Sequence, residues 1–227
     1  MTGPIEHWAV AVTTAPRPVA TLARTLDSLR RAGWSDVRVF HDSTGAGAWR
    51  NWIEALASLV RDQPAADAFA MVQDDVVLCR ELKTYLQETL WPIAGRVALC
   101  SPFTPGVYRR CRPGWSLVWP PPDRFLVAAQ FWVIPPATAR AIVRDLGHIH
   151  AHQGIDRLVG RWAKRSGRNV WHHTPSLAQH TADDNSALGN PPVADLRLAT
   201  DFIGEDAAPK VRQAFQPDTA FQSSYPT

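Results

Sequence analysis

The sequence predicts an α/β protein built on one mostly parallel sheet with helices on both faces. Over residues 8–78, short apolar runs alternate with segments of helical periodicity, and the links between them are short. Strands that alternate with helices favour parallel pairing, because each helix carries the chain back to the same edge of the sheet. We therefore expect a single domain over residues 1–190, followed by a C-terminal extension over 191–227.

The first half of the chain carries the clearest alternation. Leu22, Leu26 and Leu29 recur at helical spacing, and Gly33 follows them as a C-terminal stop. The predicted elements are a strand at 8–13, a helix at 19–32, a strand at 37–40, a helix after the glycine-containing segment 43–47 that continues through about residue 62, and a strand ending at residue 73.

The second half is less regular. Residues 102–124 are rich in proline, arginine and tryptophan, which predicts a long functional loop or a hairpin. Beyond about residue 190 the chain is proline-rich and polar, which is typical of a C-terminal wrap or tail. The remaining patterns predict strands at 97–100, 125–134 and 169–173 and helices at 136–145 and 155–165.

Composition excludes several classes of protein. Of the 227 residues, 45% are hydrophobic and 20% are charged, as in ordinary globular domains. No run approaches the roughly 18 apolar residues of a membrane span. The three cysteines lack a CxxC spacing, so neither a disulfide framework nor a zinc site is expected. The first ten residues lack the segments of a secretory leader, so we expect a cytoplasmic protein (in the host cytoplasm, if the chain is viral).

The most informative segment is Phe-Ala-Met-Val-Gln-Asp-Asp-Val-Val-Leu at 69–78. An apolar run with the composition of a buried strand ends in two adjacent carboxylates, Asp74 and Asp75. A buried carboxylate is costly unless a cation or hydrogen bonds compensate it, and open α/β sheets bind ligands at the carboxyl ends of strands. The pair indicates a site for Mg²⁺ or Mn²⁺ carrying a diphosphate, with a solvated turn or a helix cap as the alternative.

Several motifs follow one another in a fixed order within residues 7–189. They are Gly-Ala-Gly-Ala-Trp-Arg-Asn at 45–51, Gln-Asp-Asp at 73–75, Gly-Ile-Asp-Arg at 154–157 and Ser-Leu-Ala-Gln-His at 176–180. In this order the chain resembles the nucleotide-sugar glycosyltransferases of the GT-A fold, especially those like family 2, with a DxD-type motif. The resemblance implies a Rossmann-like sheet, with a donor half at about 1–78 and an acceptor half at about 79–190. It also implies a hexosyltransferase that uses a UDP-sugar with Mn²⁺ or Mg²⁺.

The same resemblance implies which residues hold the metal. Asp75, the last acid of the motif, would coordinate it directly, and Asp74 would make a second or water-mediated contact. His180 lies where many enzymes of this fold supply a histidine to the metal or diphosphate, and a neutral imidazole can join carboxylates around Mn²⁺. Gln73 stands where the family often has an acid. Its amide can bond to a ribose hydroxyl but offers the ion less charge.

Other residues match the parts of the family that hold the donor. Thr13, Thr14 and Arg17 correspond to its first loop, which clasps the nucleoside. Arg50 and Asn51 match its Ala-Arg-Asn helix, with Trp49 inserted. A guanidinium at Arg50 could fork onto a diphosphate or onto the acidic pair, and the alternative is a solvated helix face.

Two further aspartates carry open alternatives. Asp42 follows the second predicted strand, where it would contact the base or the ribose, or else serve as a turn residue. Asp156 resembles the aspartate that removes the proton of the acceptor hydroxyl in this family, with Ile155 in place of the usual preceding acid. A general base suits an inverting displacement. The alternative for Asp156 is an N-cap of the following helix.

The acceptor is left open by the sequence. A glycan, a lipid-linked sugar, a small molecule or a protein hydroxyl would fit, and so would a hydroxylated base in DNA, as in enzymes of bacterial viruses. A second hypothesis is a nucleic-acid-binding protein or modifier. It draws on cations mixed with aromatic rings and on a basic helix face, formed by Arg109, Arg110, Arg112, Trp115 and Trp119 and by Arg161, Lys164, Arg165 and Arg168. A third is a degenerate, non-catalytic module of the same fold, to which Gln73 and Ile155 give some room. The sequence does not fix the oligomeric state.

Overall fold

The computed structural model describes residues 5–91, 96–108, 113–118, 126, 128–150, 154–181 and 198–210. The strands in this part of the chain are β1 (Trp8–Thr14), β2 (Arg38–His41), β3 (Ala68–Gln73), β4 (Val76–Leu78), β5 (Val97–Ser101), β6 (Gly114–Leu117), β7 (Phe131–Ile134), β8 (Asn169–Thr174) and β9 (Ala178–His180). The helices are α1 (Leu22–Arg31), α2 (Ala48–Asp62), α3 (Leu82–Thr89), α4 (Pro136–Leu146) and α5 (Ile155–Arg165), with a 3-10 turn at Gly106–Tyr108. Within these ranges no helix combines the length and the apolar composition that a bilayer crossing requires.

One sheet organises the described chain. Its strand order is β2-β1-β3-β7-β5-β8-β6, while β4 and β9 form a separate antiparallel pair. β1 pairs in parallel with β2 and β3, and β5 pairs in parallel with β8, whereas β7 and β6 run against their neighbours. β1, β2, β3, β5 and β8 therefore point the same way. This confirms the predicted α/β class with a mostly parallel sheet.

Helices cover both faces of the sheet, as predicted. Along β1, Ala9 and Ala11 belong to one apolar core, and Val10 and Val12 belong to the other. Buried residues of α2, α4 and α5 pack on the first face, and buried residues of α1 and α3 pack on the second. This alternation follows from the two-residue period of a strand, which sends successive side chains to opposite faces.

The predicted elements differ from the observed ones in identifiable places. α1 begins at Leu22 instead of residue 19. Of the strand predicted at 125–134, β7 covers 131–134, and residues 125 and 127 lie outside the described residues. The short strands β4, β6 and β9 and the helix α3 were not predicted. The three strands have only three or four residues each, which is too short for a periodic pattern to emerge. α3 buries only Leu82 and Leu86, so its apolar stripe is faint.

The strand order reverses at β1, which positions the site. α1 leaves β1 on one face of the sheet, and α2 approaches β3 from the other. Ligands of open α/β sheets bind in the crevice at such a reversal, beyond the carboxyl ends of the strands. Thr13 pairs with Gln73 there, and the N–H of Asp74 donates to the carbonyl of Thr13 at 3.2 Å. The loops after β1 and β3 therefore lie side by side.

Part of the C-terminal extension packs back onto the sheet domain. Gln179 of β9 exchanges two hydrogen bonds with the backbone of Ala199, both at 2.9 Å. Glu205 pairs with Arg24 at 2.9 Å and with Arg31 at 2.6 Å, both on α1. Residues 198–210 therefore form a wrap over β9 and α1, and the rest of the predicted extension lies outside the described residues.

Candidate functional site

Asp74 and Asp75 form the turn at which the chain leaves the central sheet. β3 ends just before the pair, and β4, just after it, joins β9 instead of a sheet neighbour. Thr25 of α1 stabilises this turn, because its Oγ1 lies 2.8 Å from the Asp74 carbonyl oxygen and 2.9 Å from the Val76 carbonyl oxygen. Thr25 Oγ1 also accepts a hydrogen bond from the N–H of Val76 at 3.2 Å. The two carboxylates are thus fixed at the carboxyl end of β3.

Arg17, from the loop after β1, lies between the two carboxylates. Its Nη2 donates a very short hydrogen bond to Asp74 Oδ1, and its Nη1 donates to Asp75 Oδ2 at 3.1 Å. Thr14 donates from Oγ1 to the other oxygen of Asp74 at 2.5 Å. The Arg17 side chain is only 8% exposed. The sequence placed Arg17 at the nucleoside, whereas the structure uses its guanidinium to neutralise the acidic pair.

His180 completes the group of side chains. β9 pairs His180 opposite Val76, which brings the imidazole Nε2 to 3.1 Å from Asp75 Oδ2. Thr181 anchors the same place, since its N–H donates to the Asp75 carbonyl oxygen at 2.8 Å. We refer to Thr14, Arg17, Asp74, Asp75 and His180 as the acidic cluster. Three segments that are distant in sequence therefore meet in it.

The two carboxylates of the acidic cluster titrate in opposite directions. Burial raises the pKa of Asp74, and the bond from Thr14 and the charge of Arg17 offset only part of this rise. Burial acts on Asp75 in the same direction, but His180 and Arg17 together outweigh it, so the pKa of Asp75 lies below its ordinary value. Asp75 is therefore the member of the pair that most firmly keeps its negative charge.

The donor atoms of the acidic cluster fit a divalent cation in their chemistry. Asp75 Oδ1 and His180 Nδ1 are buried and have no hydrogen-bond partner among the described residues. A neutral imidazole that donates from Nε2 keeps a lone pair on Nδ1, and oxygen and imidazole nitrogen are both ligands for Mn²⁺. In this arrangement, however, Arg17 occupies the neighbouring oxygens. Across the described ranges, no group of three or more His, Cys, Asp or Glu side chains is placed to hold a metal.

A cavity of about 300 Å³ adjoins the acidic cluster at the carboxyl ends of β1 and β2. Cavities of about this size accommodate small-molecule ligands. Two atoms of lining residues, Arg17 Nε and Thr21 Oγ1, are buried and have no partner among the described residues. The cavity is lined by Thr14, Ala15, Pro16, Arg17, Ala20, Thr21, Leu22, His41, Ser43 and Asp74.

Three of the predicted donor residues shape the edge of the sheet. Asn51 donates from Nδ2 to the carbonyl oxygens of Thr14 and Phe40, both at 3.1 Å, and so ties the end of β1 to the end of β2. Thr13 Oγ1 lies 3.5 Å from the Val72 carbonyl oxygen. The N–H of Gln73 donates to the Gln130 carbonyl oxygen at 2.9 Å. All of these bonds involve backbone acceptors. The side-chain amide of Gln73 has no hydrogen bond among the described residues.

Asp42 holds the glycine-containing turn. Its two carboxylate oxygens accept bonds from the N–H groups of Ala46 at 2.7 Å and Gly47 at 2.8 Å. Gly45 and Gly47 have φ of +70° and +93°, a region that side chains with a Cβ rarely adopt. Of the two roles that the sequence left open for Asp42, these contacts favour the turn residue.

Arg50 lies on the partly exposed side of α2. Its Nε donates to Glu54 Oε1 at 2.5 Å, an ion pair between residues four apart on the helix. The guanidinium that binds the acidic pair is that of Arg17. The structure therefore favours the helix-face alternative for Arg50 over contact with the acidic motif.

Asp156 lies in the first turn of α5. The N-cap of this helix is Gly154, so Asp156 is not the cap residue itself. Its Oδ1 accepts a bond from the N–H of Arg157 at 2.9 Å. Burial raises the pKa of Asp156, more than the nearby backbone donors lower it. A carboxylate with a raised pKa is a better proton acceptor, which is the property a general base needs.

The side chains that raised the nucleic-acid hypothesis are only partly described. Trp115 is 6% exposed, and its ring packs edge-to-face on His173 at 5.1 Å, so it is not an open stacking platform. Arg168 bonds to Thr138 Oγ1 at 3.0 Å and lies over the Trp162 ring. Lys164 and Arg165 are exposed. Arg109, Arg110, Arg112 and Trp119 lie outside the described residues.

Three hydroxyl residues beside this site, Thr21, Thr25 and Ser28, were not predicted from the sequence. Thr21, Thr25 and Ser28 recur at helical spacing at the start of α1 and along it, and Thr25 and Ser28 are buried. The signal was present, because hydroxyls on the apolar side of an amphipathic helix need backbone partners when buried. Ser28 meets this need by accepting from the N–H of Leu78 at 2.7 Å.

Comparisons with known proteins give only loose matches. No family model and no curated protein matches the chain. A glycosyltransferase involved in glycosylation of the major capsid of PBCV-1 is 8% identical, with a TM-score of 0.47 over 77% of this chain and 94% of that one. A mutant of Drosophila β1,4-galactosyltransferase 7 with manganese, UDP-Gal and xylobiose is 11% identical, with a TM-score of 0.43 over 79% and 72%. The catalytic domain of the same Drosophila enzyme with xylobiose is 13% identical, with a TM-score of 0.45 over 79% and 72%. Such distant overlaps do not assign a function to this chain.

Proposed function

We propose that the protein is a glycosyltransferase that moves a sugar from a nucleoside diphosphate, UDP in the first instance, to an acceptor hydroxyl. One observation carries the proposal. At the reversal of strand order, a cavity of about 300 Å³ adjoins two buried carboxylates, a buried guanidinium and a buried imidazole. A ligand with a neutral ring system and an anionic diphosphate would suit this combination, with Arg17 and a divalent cation offsetting the negative charge of the diphosphate and of the two carboxylates.

The nucleoside belongs in the cavity and the diphosphate at the acidic cluster. Thr14, Thr21 and Ser43 offer hydroxyls to a base or ribose from the lining. Arg17 offers a fork of donors that suits paired phosphate oxygens. Gln73 can reach a ribose hydroxyl from the end of β3. Thr13, Asp42 and Asn51 act by fixing the loops through their backbone bonds, and Arg50 remains a more distant cation for the diphosphate.

Asp75 and His180 would hold a divalent cation, with Asp74 as the additional or water-mediated contact. Support comes from Asp75 Oδ1, which is buried without a partner among the described residues, and from the contact of His180 Nε2 with Asp75. When bound, Mn²⁺ or Mg²⁺ supplies positive charge that stabilises the departing diphosphate. The residues of this chain orient the phosphates, exclude water and keep Asp75 ionised.

Asp156 would accept the proton of the acceptor hydroxyl, which makes the transfer inverting. Burial favours protonation of this carboxylate, so it holds a proton more readily than an exposed aspartate does. The hydroxyl oxygen then attacks the anomeric carbon as the bond to the diphosphate breaks, and the proton stays on the carboxylate. Displacement from the opposite side inverts the anomeric centre.

The test is a donor screen followed by an acceptor screen. Purified protein is titrated with UDP and with other nucleoside diphosphates, with and without Mn²⁺, and then incubated with nucleotide sugars while the released diphosphate is measured. Glycans and hydroxymethylated DNA are offered as acceptors in parallel. UDP binding with sugar transfer to either acceptor supports the proposal. Absence of binding to every nucleoside diphosphate would refute it.

A further inference from the structure

The charge balance of the acidic cluster is incomplete. Arg17 supplies one positive charge to two buried carboxylates, and Asp75 Oδ1 is buried without a partner among the described residues. Buried carboxylates need compensation by cations or hydrogen bonds. One guanidinium therefore holds the pair together without fully neutralising it.

Arg17 and a divalent cation compete for this pair. The guanidinium already bonds to one oxygen of each carboxylate, and Thr14 bonds to the second oxygen of Asp74. Because only Asp75 Oδ1 is left without a partner among the described residues, an ion that draws on both carboxylates competes with the Arg17 donors. A site that is competent only after Arg17 is displaced binds its ligand with reduced apparent affinity.

Displaced Arg17 has a defined destination. Its side chain lines the adjoining cavity, and its Nε is buried without a partner among the described residues. Pro16 and Pro18 flank it and restrict the backbone, so the guanidinium changes place through its own side-chain torsions. The phosphate oxygens of a donor in that cavity would accept the paired hydrogen bonds that the guanidinium no longer makes to the carboxylates.

We propose that Arg17 is an exchangeable counter-ion that makes binding of the divalent cation and of the nucleoside diphosphate mutually dependent. This inference rests on the proposed function. Without a donor, Arg17 holds the carboxylates and opposes binding of the cation. When the diphosphate arrives, Arg17 moves to the phosphates, and the cation takes its place on Asp75. Arg17 thus acts as a positioning residue for the donor and prevents the site from filling with metal alone.

The decisive measurement is the affinity for Mn²⁺ alone, without nucleotide. Free Mn²⁺ is followed by electron paramagnetic resonance during titration of wild type, Arg17→Met and Arg17→Lys. Arg30→Met is the matched control, because Arg30 is exposed and, among the described residues, pairs within α1 with Asp27 at 2.9 Å. We expect Arg17→Met to bind Mn²⁺ about tenfold more tightly than wild type, within the usual range of coupling between sites. Arg17→Lys should fall between them, and Arg30→Met should match wild type.

The second measurement is UDP affinity with and without Mn²⁺. Mn²⁺ should raise UDP affinity about tenfold or more in wild type, and this enhancement should shrink markedly in Arg17→Met. If Arg17→Met bound Mn²⁺ no more tightly than wild type, the inference would be overturned. Tight binding of Mn²⁺ to wild type in the absence of nucleotide would also overturn it. If Arg17→Met does not fold, as judged by its melting curve, Arg17→Lys carries the same comparison. Failure of wild type to bind any nucleoside diphosphate refutes the proposed function, whereas the Mn²⁺ titration without nucleotide still tests the exchange.

Discussion

Two buried polar groups, one around His173 and the other the acidic cluster, differ in how completely their atoms are bonded. In one group, His173 bonds through Nδ1 to the Pro175 carbonyl oxygen at 2.7 Å and through Nε2 to the Tyr85 hydroxyl at 2.6 Å. In the acidic cluster, His180 uses Nε2 on Asp75, and its Nδ1 has no partner among the described residues. The first histidine is saturated, and the second is not.

Under the proposed function, this difference distinguishes a structural group from a ligand site. Buried polar atoms normally have partners, and one without a partner costs stability. His173 meets the rule and also packs against the rings of Tyr85 and Trp115. The acidic cluster departs from the rule at Asp75, His180 and Arg17 beside a cavity. A ligand site requires buried hydrogen-bond donors and acceptors that the protein itself leaves without partners.

Asp75→Asn gives the sharpest contrast, because it removes charge from the unsaturated group. We expect sugar transfer from a UDP-sugar to fall about a thousandfold, since stabilisation of the leaving diphosphate is lost. The melting temperature should fall, because the amide would no longer pair a negative charge with Arg17 and His180, so activity is assayed well below the unfolding transition. The assay is diphosphate release, with exposed Asp36→Asn as the matched control. Transfer at the wild-type rate would remove Asp75 from the site.

Asp156→Asn should lower kcat about a hundredfold or more while leaving the affinity for UDP nearly unchanged. The reason is that an amide keeps the shape of the carboxylate but cannot accept the proton. Separate measurements of kcat and of UDP affinity by calorimetry check this. A loss confined to UDP affinity would show that Asp156 is not the base.

The saturated group should control stability at mildly acidic pH. Burial lowers the pKa of His173 from 6.5 to about 4. Between these values the unfolded chain binds a proton that the folded chain does not, so stability falls as pH drops from about 6.5 to about 4. The loss is at most roughly 3 kcal/mol.

Chemical denaturation of wild type and His173→Asn across this pH range measures the effect. The difference between the two plots of unfolding free energy against pH gives the contribution of His173. Asp74 and Asp156 have raised pKa values, so their contribution to the unfolding free energy increases as pH falls. This contribution is the same in both proteins and cancels in the comparison. Parallel profiles for the two proteins would contradict the assignment.

Tyr85→Phe should have the smallest effect of the set and should leave ligand binding alone. Removal of the hydroxyl leaves His173 Nε2 buried without a donor, which costs about 1–3 kcal/mol of unfolding free energy. Urea unfolding measures the loss, and calorimetry should show unchanged UDP affinity. If UDP binding weakened by more than about threefold, the two groups would not be independent.

The sequence singled out the acidic pair because it interrupts an apolar run, and it singled out His180 only through the resemblance to a family that supplies a histidine at that place. An apolar run that ends in Asp74 and Asp75 is a local pattern, and so is the alternation that predicted the sheet. The roles of Asp42 and Arg50 were less accessible. Asp42 bonds to backbone N–H groups four and five residues away, and Arg50 bonds to Glu54, yet both patterns are equally compatible with ligand contacts when only the sequence is seen.

By itself the sequence determined the class of fold, since strand and helix periods are local properties of the chain. It also determined which residue types could bind a diphosphate and a metal. Only the tertiary structure decided that Arg17 lies on Asp74 and Asp75, because a contact between residues 57 and 58 positions apart depends on how β1 and β3 pair. The same holds for the three-residue strands that bring His180 to Asp75, which leave too little sequence for any period to appear.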